Sequence, residues 1–205
     1  MGKVVNIKNT DKKNKPNNPL VMKVMIVTLV LLAILKLPEL IDDRPPVFKD
    51  HEVYLFKTPI EIPKDYTVFD LSSRSVKLTD MLGSELTLLP FWATWCGYCA
   101  AEMPVMDDVT PYLAKHGVEI IPIARGDDTP NKVVEFFEHG KIKNLASVIA
   151  STPELHKALG VKGYPSYIAV NSNGMAFAKL RPQWNSDDIL KLFEELRATE
   201  SKKGY

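Results

Sequence analysis

Apolar and polar residues are unevenly distributed along the chain, and the first contrast comes early. Leu20 to Leu37 is apolar except for Lys23, Thr28 and Lys36, and Val24 to Leu35 carries no charge. A spanning helix needs roughly 20 residues, with a range of about 17–25, so this run lies at the short end. Its two lysines sit near the ends, where long stems lie in hydrocarbon and charged heads reach the headgroups. A cleaved signal has a shorter apolar core, about 7–15 residues, and then a small-x-small site. Here Leu35 is followed by Lys36-Leu37-Pro38-Glu39. The pattern predicts an uncleaved signal anchor over 20–37. Residues 1–19 are rich in Lys, Asn and Pro without an apolar period, and they read as a disordered leader.

Beyond the anchor, 38–62 reads as a linker stiffened by Arg44-Pro45-Pro46. A denser pattern then predicts one α/β domain over 63–199, with 200–205 as a tail. Tyr66 to Phe69 and Ser75 to Leu78 are short strand-like runs about a polar turn. Thr79 to Gly83 reads as one helical turn, with Thr79 as cap and Gly83 as stop. Leu86 to Trp92 is an apolar run apart from Thr87, the mark of a strand buried on both faces. A helix is expected from about Cys96 to His116, then a buried strand over Val118 to Ala124. Asp128 or Thr129 caps a helix whose apolar face is Val133, Val134, Phe136 and Phe137. Ala146 to Ala150 suits a short strand. Thr152-Pro153 opens a further helix, with proline first, and Gly160 closes it. Tyr167 to Val170 and Met175 to Leu180 flank Asn171-Ser172-Asn173-Gly174, an antiparallel hairpin signal. Ser186 caps a final helix with Ile189, Phe193 and Leu196 on one stripe. Early alternation and a late hairpin describe a mixed sheet with helices on both faces.

Composition changes this picture little, but it narrows the function. Of 205 residues, 45% are hydrophobic and 25% charged, the balance of a chain that folds. A net charge of +1 gives no global basic excess for a nucleic-acid partner. The local charge is more telling. Five lysines precede the apolar run, whereas Glu39 to Asp50 holds four acids and two bases. Positive-inside reasoning puts the N-terminus in the cytoplasm and the bulk of the chain across the membrane.

The candidate chemistry rests on the only two cysteines, Cys96 and Cys99. They are too few for a disulfide-stapled scaffold or, alone, for a four-cysteine zinc site. They follow a predicted buried strand and open a helix. Free N–H groups and the positive end of the helix dipole favour a thiolate there, so Cys96 is the expected nucleophile. Cys99, one turn on, is placed to attack a mixed disulfide at Cys96 and release the partner. A CxxC is also half of a zinc site, but His51, His116, His139 and His156 are not paired at ligand spacing. Two inert buried thiols fit poorly at a helix start.

Phe91-Trp92-Ala93-Thr94-Trp95-Cys96-Gly97-Tyr98-Cys99-Ala100-Ala101-Glu102-Met103-Pro104 resembles the active-site segment of thioredoxin-fold proteins. It is most similar to the membrane-anchored TlpA/ResA/CcmG group of bacterial thiol–disulfide oxidoreductases. Gly163-Tyr164-Pro165-Ser166-Tyr167 resembles the cis-proline loop of that fold, and the Asn173-Gly174 hairpin, Arg181 and Trp184 match its end. The likeness runs from about Pro63 to Leu196. It implies a cis Pro165 beside the cysteines, with the Tyr164 backbone pairing with a substrate strand; the alternative is an ordinary strand-start proline. It implies that Glu102 handles protons for the pair, and i+3 from Cys99 does share a helix face. The alternative is a solvated acid that complements the dipole. Trp95 either packs beside the site or also shields the disulfide and touches substrate. Tyr98 and Tyr164 are the remaining substrate-binding candidates. Pro104 is expected to kink the helix.

Two positions depart from relatives. Pro90 stands where thioredoxin has a buried Asp, in a strand that proline normally avoids, so a bulge or a dispensable ladder bond is expected. Gly97-Tyr98 sits where reducing members often have a proline before the second cysteine, which shifts weight toward oxidising or isomerising chemistry. The resemblance implies a monomeric, single-pass inner-membrane enzyme with its domain in the periplasm. Its redox centre is the Cys96–Cys99 couple, with no other cofactor and no metal. Its partners would be protein thiols and disulfides, apocytochrome c among them, and a membrane thiol-electron transporter as reductant. The expected direction is reduction. Rivals are an oxidase or isomerase and, in another class, a copper-binding Sco-like module, which uses CxxxC and a distant His.

Overall fold

The computed structural model describes residues 51–83, 85–185 and 189–204, with Lys23, Ile26 and Val27. The leader 1–19, the Arg44-Pro45-Pro46 spacer, the Ser186 cap and all but those three residues of the expected anchor 20–37 lie outside the described residues. Among the described residues no helix is long and apolar enough to cross a membrane. The chain divides into two compact units, Met1–Pro45 and Pro46–Tyr205.

In the second unit the strands are β1 (Glu52–Glu61), β2 (Thr67–Phe69), β3 (Ser75–Lys77), β4 (Leu86–Trp92), β5 (Val118–Ile120), β6 (Ile123–Ala124), β7 (Val148–Ala150), β8 (Ser166–Asn171) and β9 (Met175–Arg181). The helices are α1 (Gly97–Ala114), α2 (Pro130–Gly140), α3 (Glu154–Ala158) and α4 (Ile189–Lys203). One mixed sheet runs β1-β9-β8-β4-β6-β7-β2-β3, with β5 also on β4. Pairings of β4 with β5 and β6, and of β6 with β7, are parallel; β4–β8 and β8–β9 are antiparallel.

β4 is buried at all seven positions, as its apolar run predicts. Its side chains alternate. Leu86, Leu88 and Trp92 join a core with Met103 and Met106 of α1, Val133 of α2 and Phe193 and Leu196 of α4. Leu89 and Phe91 join a second core with Leu155 of α3, Val68 and Leu78. The helices therefore cover both faces.

Pro90 causes no bulge against β8, since Leu86–Phe91 stays in register with Asn171–Ser166. The carbonyls of Leu88 and Trp92 accept from the N–H groups of Ile121 and Arg125, so alternate positions of β4 face β5 and β6. The Pro90 nitrogen points the same way, into a break. The single strand expected over Val118 to Ala124 is split there into β5 and β6. Pro122, itself without an N–H, lies in the gap.

Other expectations need correction. Residues 52–61, read as linker, form edge strand β1 on β9, with a register shift between Leu55 and Ile60. The turn expected from a Thr79 cap is a 3-10 turn over Leu78–Met81, without a side-chain cap bond. Burying Leu78 starts it one residue early. Pro153 precedes α3 instead of opening its first turn. Of the two caps expected for α2 the structure uses Thr129, whose hydroxyl accepts from Lys132 N–H, and Pro130 follows it. Val134 is exposed, so the apolar face is narrower than its sequence suggests.

α1 contains both Pro104 and Pro111. A proline removes the bond to the carbonyl four residues earlier, so Pro111 frees the carbonyl of Asp107. The Asn144 amide donates to it at 3.1 Å. The buried Asp107 carboxylate accepts from the backbone N–H groups of Lys143, Asn144 and Leu145 at 2.6–3.0 Å. One carboxylate thus ties the loop after α2 to the active-site helix. Asp107→Ala orphans three donors, and urea denaturation should show a loss of about 3 kcal/mol at unchanged m value. A loss below about 1 kcal/mol would mean that water replaces the carboxylate.

Candidate active site

The site begins where β4 ends. The chain leaves Trp92, turns through Ala93–Trp95 and enters α1 at Gly97, with Cys96 as the N-cap residue. The expected helix over 96–116 is thus trimmed at both ends. Cys96 N–H donates to the Ala93 carbonyl at 3.0 Å, closing the turn. Cys99 N–H donates to Cys96 Sγ at 3.1 Å. An N-cap acceptor satisfies one of the free N–H groups of a helix start, and here that acceptor is the sulfur. Cys96 and Cys99 are joined as a disulfide, with Cα atoms 5.2 Å apart. Cys99 is wholly buried, and Cys96 is 5% exposed.

A carboxylate clamp holds this turn. Asp128, considered only as a helix cap, accepts from Thr94 N–H at 3.1 Å and from the Thr94 hydroxyl at 2.5 Å. It fixes the cysteine loop to the loop after β6. Beneath the loop, Trp92 Nε1 donates to Ser147 Oγ at 3.0 Å, and its ring packs on Phe136 and Phe137.

The Tyr164–Pro165 peptide is cis, as the resemblance implies. The Tyr164 ring meets Trp95 edge-on, with centroids 5.8 Å apart. Trp95 and Tyr98 are 64% and 77% exposed, so two large rings stand open beside the buried sulfurs. Tyr98, Glu102, Tyr164, Pro165 and Tyr167 share a groove of about 700 Å³. Three of the four expected substrate-binding residues, Tyr98, Tyr164 and Pro165, therefore line one groove, and the fourth, Trp95, meets Tyr164 beside it. Glu102 lies in that groove, and the Tyr167 hydroxyl donates to Glu102 Oε2.

The sequence places Tyr167 at the end of the cis-proline loop and the start of a strand, with no role in the chemistry. Its ring is 2% exposed and packs edge-on against Trp184 at 5.4 Å. No local signal marks it, since the partner is 65 positions away. Burial, and then the Glu102 acceptor, push the phenol well above its ordinary value of about 10. His156 was read only as an unpaired metal candidate. It is 8% exposed, and its ring packs on Phe91 and Tyr164. Among the described residues no group of three or more His, Cys, Asp or Glu is placed to hold a metal ion.

A redox disulfide capping a helix, beside a cis-proline loop on a mixed sheet, defines the thioredoxin-like class. The redoxin family model matches residues 60–181, more than half of the chain. The thiol–disulfide oxidoreductase ResA of Geobacillus thermodenitrificans is 31% identical over 133 residues, spanning 65% of this chain and 75% of that protein. ResA of Bacillus thuringiensis subsp. konkukian is 27% identical over 140 residues, 67% and 79% of the two chains. Among solved structures, a thiol:disulfide interchange protein from Bacteroides sp. superposes with a TM-score of 0.54 at 24% identity, covering 68% of this chain and 90% of that one. The pneumococcal exposed lipoprotein thioredoxin Etrx1 of Streptococcus pneumoniae gives 0.52 at 21% identity, covering 63% and 98%. The chain belongs to the redoxin family and, within it, to the ResA-type thiol–disulfide oxidoreductases. Its redox centre is the cysteine pair itself.

The buried phenol generates a pH prediction. A folded pKa raised above the unfolded value means that the stability is full below about pH 10 and is lost as pH rises through the folded value. Thermal melts from pH 7 upward should fall more steeply above about pH 10 in the parent than in Tyr167→Phe. Parallel curves would mean that Tyr167 ionises freely in the fold.

Proposed function

We propose that this chain is a membrane-tethered reductase of protein disulfides, acting outside the cytoplasm. The observation that carries the chemistry is Cys96 Sγ accepting the Cys99 N–H at the start of α1. The same donor and the helix N-terminus stabilise the thiolate when the pair is reduced. Cys96 then attacks a substrate disulfide, and the substrate's leaving sulfur departs as thiolate. Cys99 next attacks Cys96 of the mixed disulfide, releasing the second substrate thiol and closing the Cys96–Cys99 bond. Two electrons pass to the substrate, and a membrane thiol-electron transporter would restore the dithiol.

Glu102 supports the direction of flow. A carboxylate in the groove one turn beyond Cys99 opposes the build-up of thiolate, which favours handing electrons on. In this reading it would also take and return the proton of Cys99, one helical turn away, while the Tyr167 hydroxyl donates to it. The Tyr164 backbone beside cis-Pro165 would receive an extended substrate segment, with Trp95 and Tyr98 flanking it. The apolar run over 20–37, with its basic leader, supports the tether and the orientation. ResA-type kinship supports apocytochrome c as a substrate class.

The test is the reduction potential of the full-length chain in detergent, equilibrated against glutathione or dithiothreitol. A reductase should lie near the thioredoxin end of the range, about −270 mV, and a value near −120 mV, roughly that of a strong oxidase, would overturn the direction. Cys99→Ser should trap a mixed disulfide at Cys96, visible on non-reducing gels. Equal trapping through Cys99 in Cys96→Ser would overturn the assignment of nucleophile.

A further inference from the structure

Adjoining the proposed substrate groove lies a second cavity of about 450 Å³. The two share Gly163 and Tyr164. A segment seated along the cis-proline loop would therefore have one part of its length beside this cavity. Arg125, Lys157 and Lys162 line it, opposed in the lining by Asp127 alone. Arg125 pairs with Asp127 at 3.0 Å and lies 6.0 Å over the Trp95 ring, which leaves both lysines without an acid in the lining. Glu154, outside the lining, offsets part of the Lys157 charge.

His156 also lines this cavity. It is more than nine-tenths buried, and neither Nδ1 nor Nε2 has a hydrogen-bond partner. A neutral imidazole carries one donor and one acceptor. Leaving such groups buried and unpaired is costly, and a ligand that supplies a partner recovers that cost. Burial and the nearby Arg125 hold the ring below its ordinary value, so it is a neutral donor and does not repel the lysines.

We infer that this cavity is a specificity subsite for an acidic side chain of the substrate protein, flanking the cysteine under attack. The carboxylate would lie between Lys157, Lys162 and Arg125 and accept the His156 ring N–H. The subsite rests on the proposed exchange reaction and names the substrate that it favours: a cysteine segment rich in Asp or Glu.

The test uses the reduced full-length chain and peptides of one length, each with a single cysteine capped by thionitrobenzoate. The cysteine is flanked on both sides by Glu, Gln or Lys. Cys96 thiolate attacks the peptide sulfur and expels the coloured thionitrobenzoate thiolate; Cys99 then displaces the peptide thiol, so two electrons leave the dithiol. The Glu peptide should react about tenfold faster than the Lys peptide at low salt, with Gln between them, and the gap should shrink as salt rises. Lys157→Glu combined with Lys162→Glu alters only exposed side chains and should abolish or invert that order. His156→Phe keeps the ring against Phe91 and Tyr164 and should lower the ratio of the Glu rate to the Lys rate. Equal rates for the three peptides, or an order untouched by the lysine changes, would overturn the subsite and leave the exchange reaction standing. An unchanged ratio in His156→Phe would remove His156 from it. Failure of every peptide to release the coloured thiolate would overturn the exchange reaction itself.

Discussion

The position of β4 sets everything else. It pairs with neighbours along both edges and is buried on both faces, and its end is held by pairing with β8 up to Phe91 and with β6 at Trp92. The cysteines begin four residues later. A loop launched from a less constrained strand would leave the sulfurs free to wander, and thiol exchange needs a nucleophile held in a narrow geometry. Even so, the strand alone does not finish the job. The Asp128 clamp on Thr94 fixes the turn, and the packing of Trp92 against Phe136 and Phe137 fixes its floor.

Around this rigid launch point the site combines burial with access. The sulfurs are almost wholly covered, while Trp95 and Tyr98 stand open. A partner can therefore gain contact area on the rings before it reaches Cys96. Rigid aromatics provide that area at low conformational cost. The cis-proline loop leads directly into β8, the antiparallel neighbour of β4, so the ladder beside the cysteine strand also anchors Tyr164 and Pro165. From Phe91 a file of rings passes through His156 and Tyr164 to Trp95, linking the second core to the open face of the site.

Two carboxylates show how context decides a role. Asp107 and Glu102 both lie on α1, five residues apart. Asp107 faces three backbone N–H groups and serves as a structural tie. Glu102 faces a groove and a single phenol, which leaves it further acceptor capacity. Helical position alone does not separate them; what packs opposite does.

Much of the plan was legible because its signals are local. The buried run of β4, the Asn-Gly hairpin, the stripe of α4 and the CxxC at a helix start are all written in residues close together. The edge strand β1 was not legible. It has no fully buried position, contains Lys57 and Pro59, and slips register midway, so it lacks the period of two that marks a strand. It forms because β9 offers an open edge. Asp128 on Thr94, Asp107 on the 143–145 loop, Tyr167 on Glu102 and His156 on Tyr164 share a different reason. These are side-chain contacts that tertiary packing makes, and no composition or spacing records them. By itself, the sequence determined the alternating sheet and helices and the two thiols at a helix start, since hydrophobic period and local capping act over a few residues. Which acid clamps, which positions and which is left free for chemistry was decided only in the tertiary structure, where burial and hydrogen-bond partners depend on what the fold brings alongside.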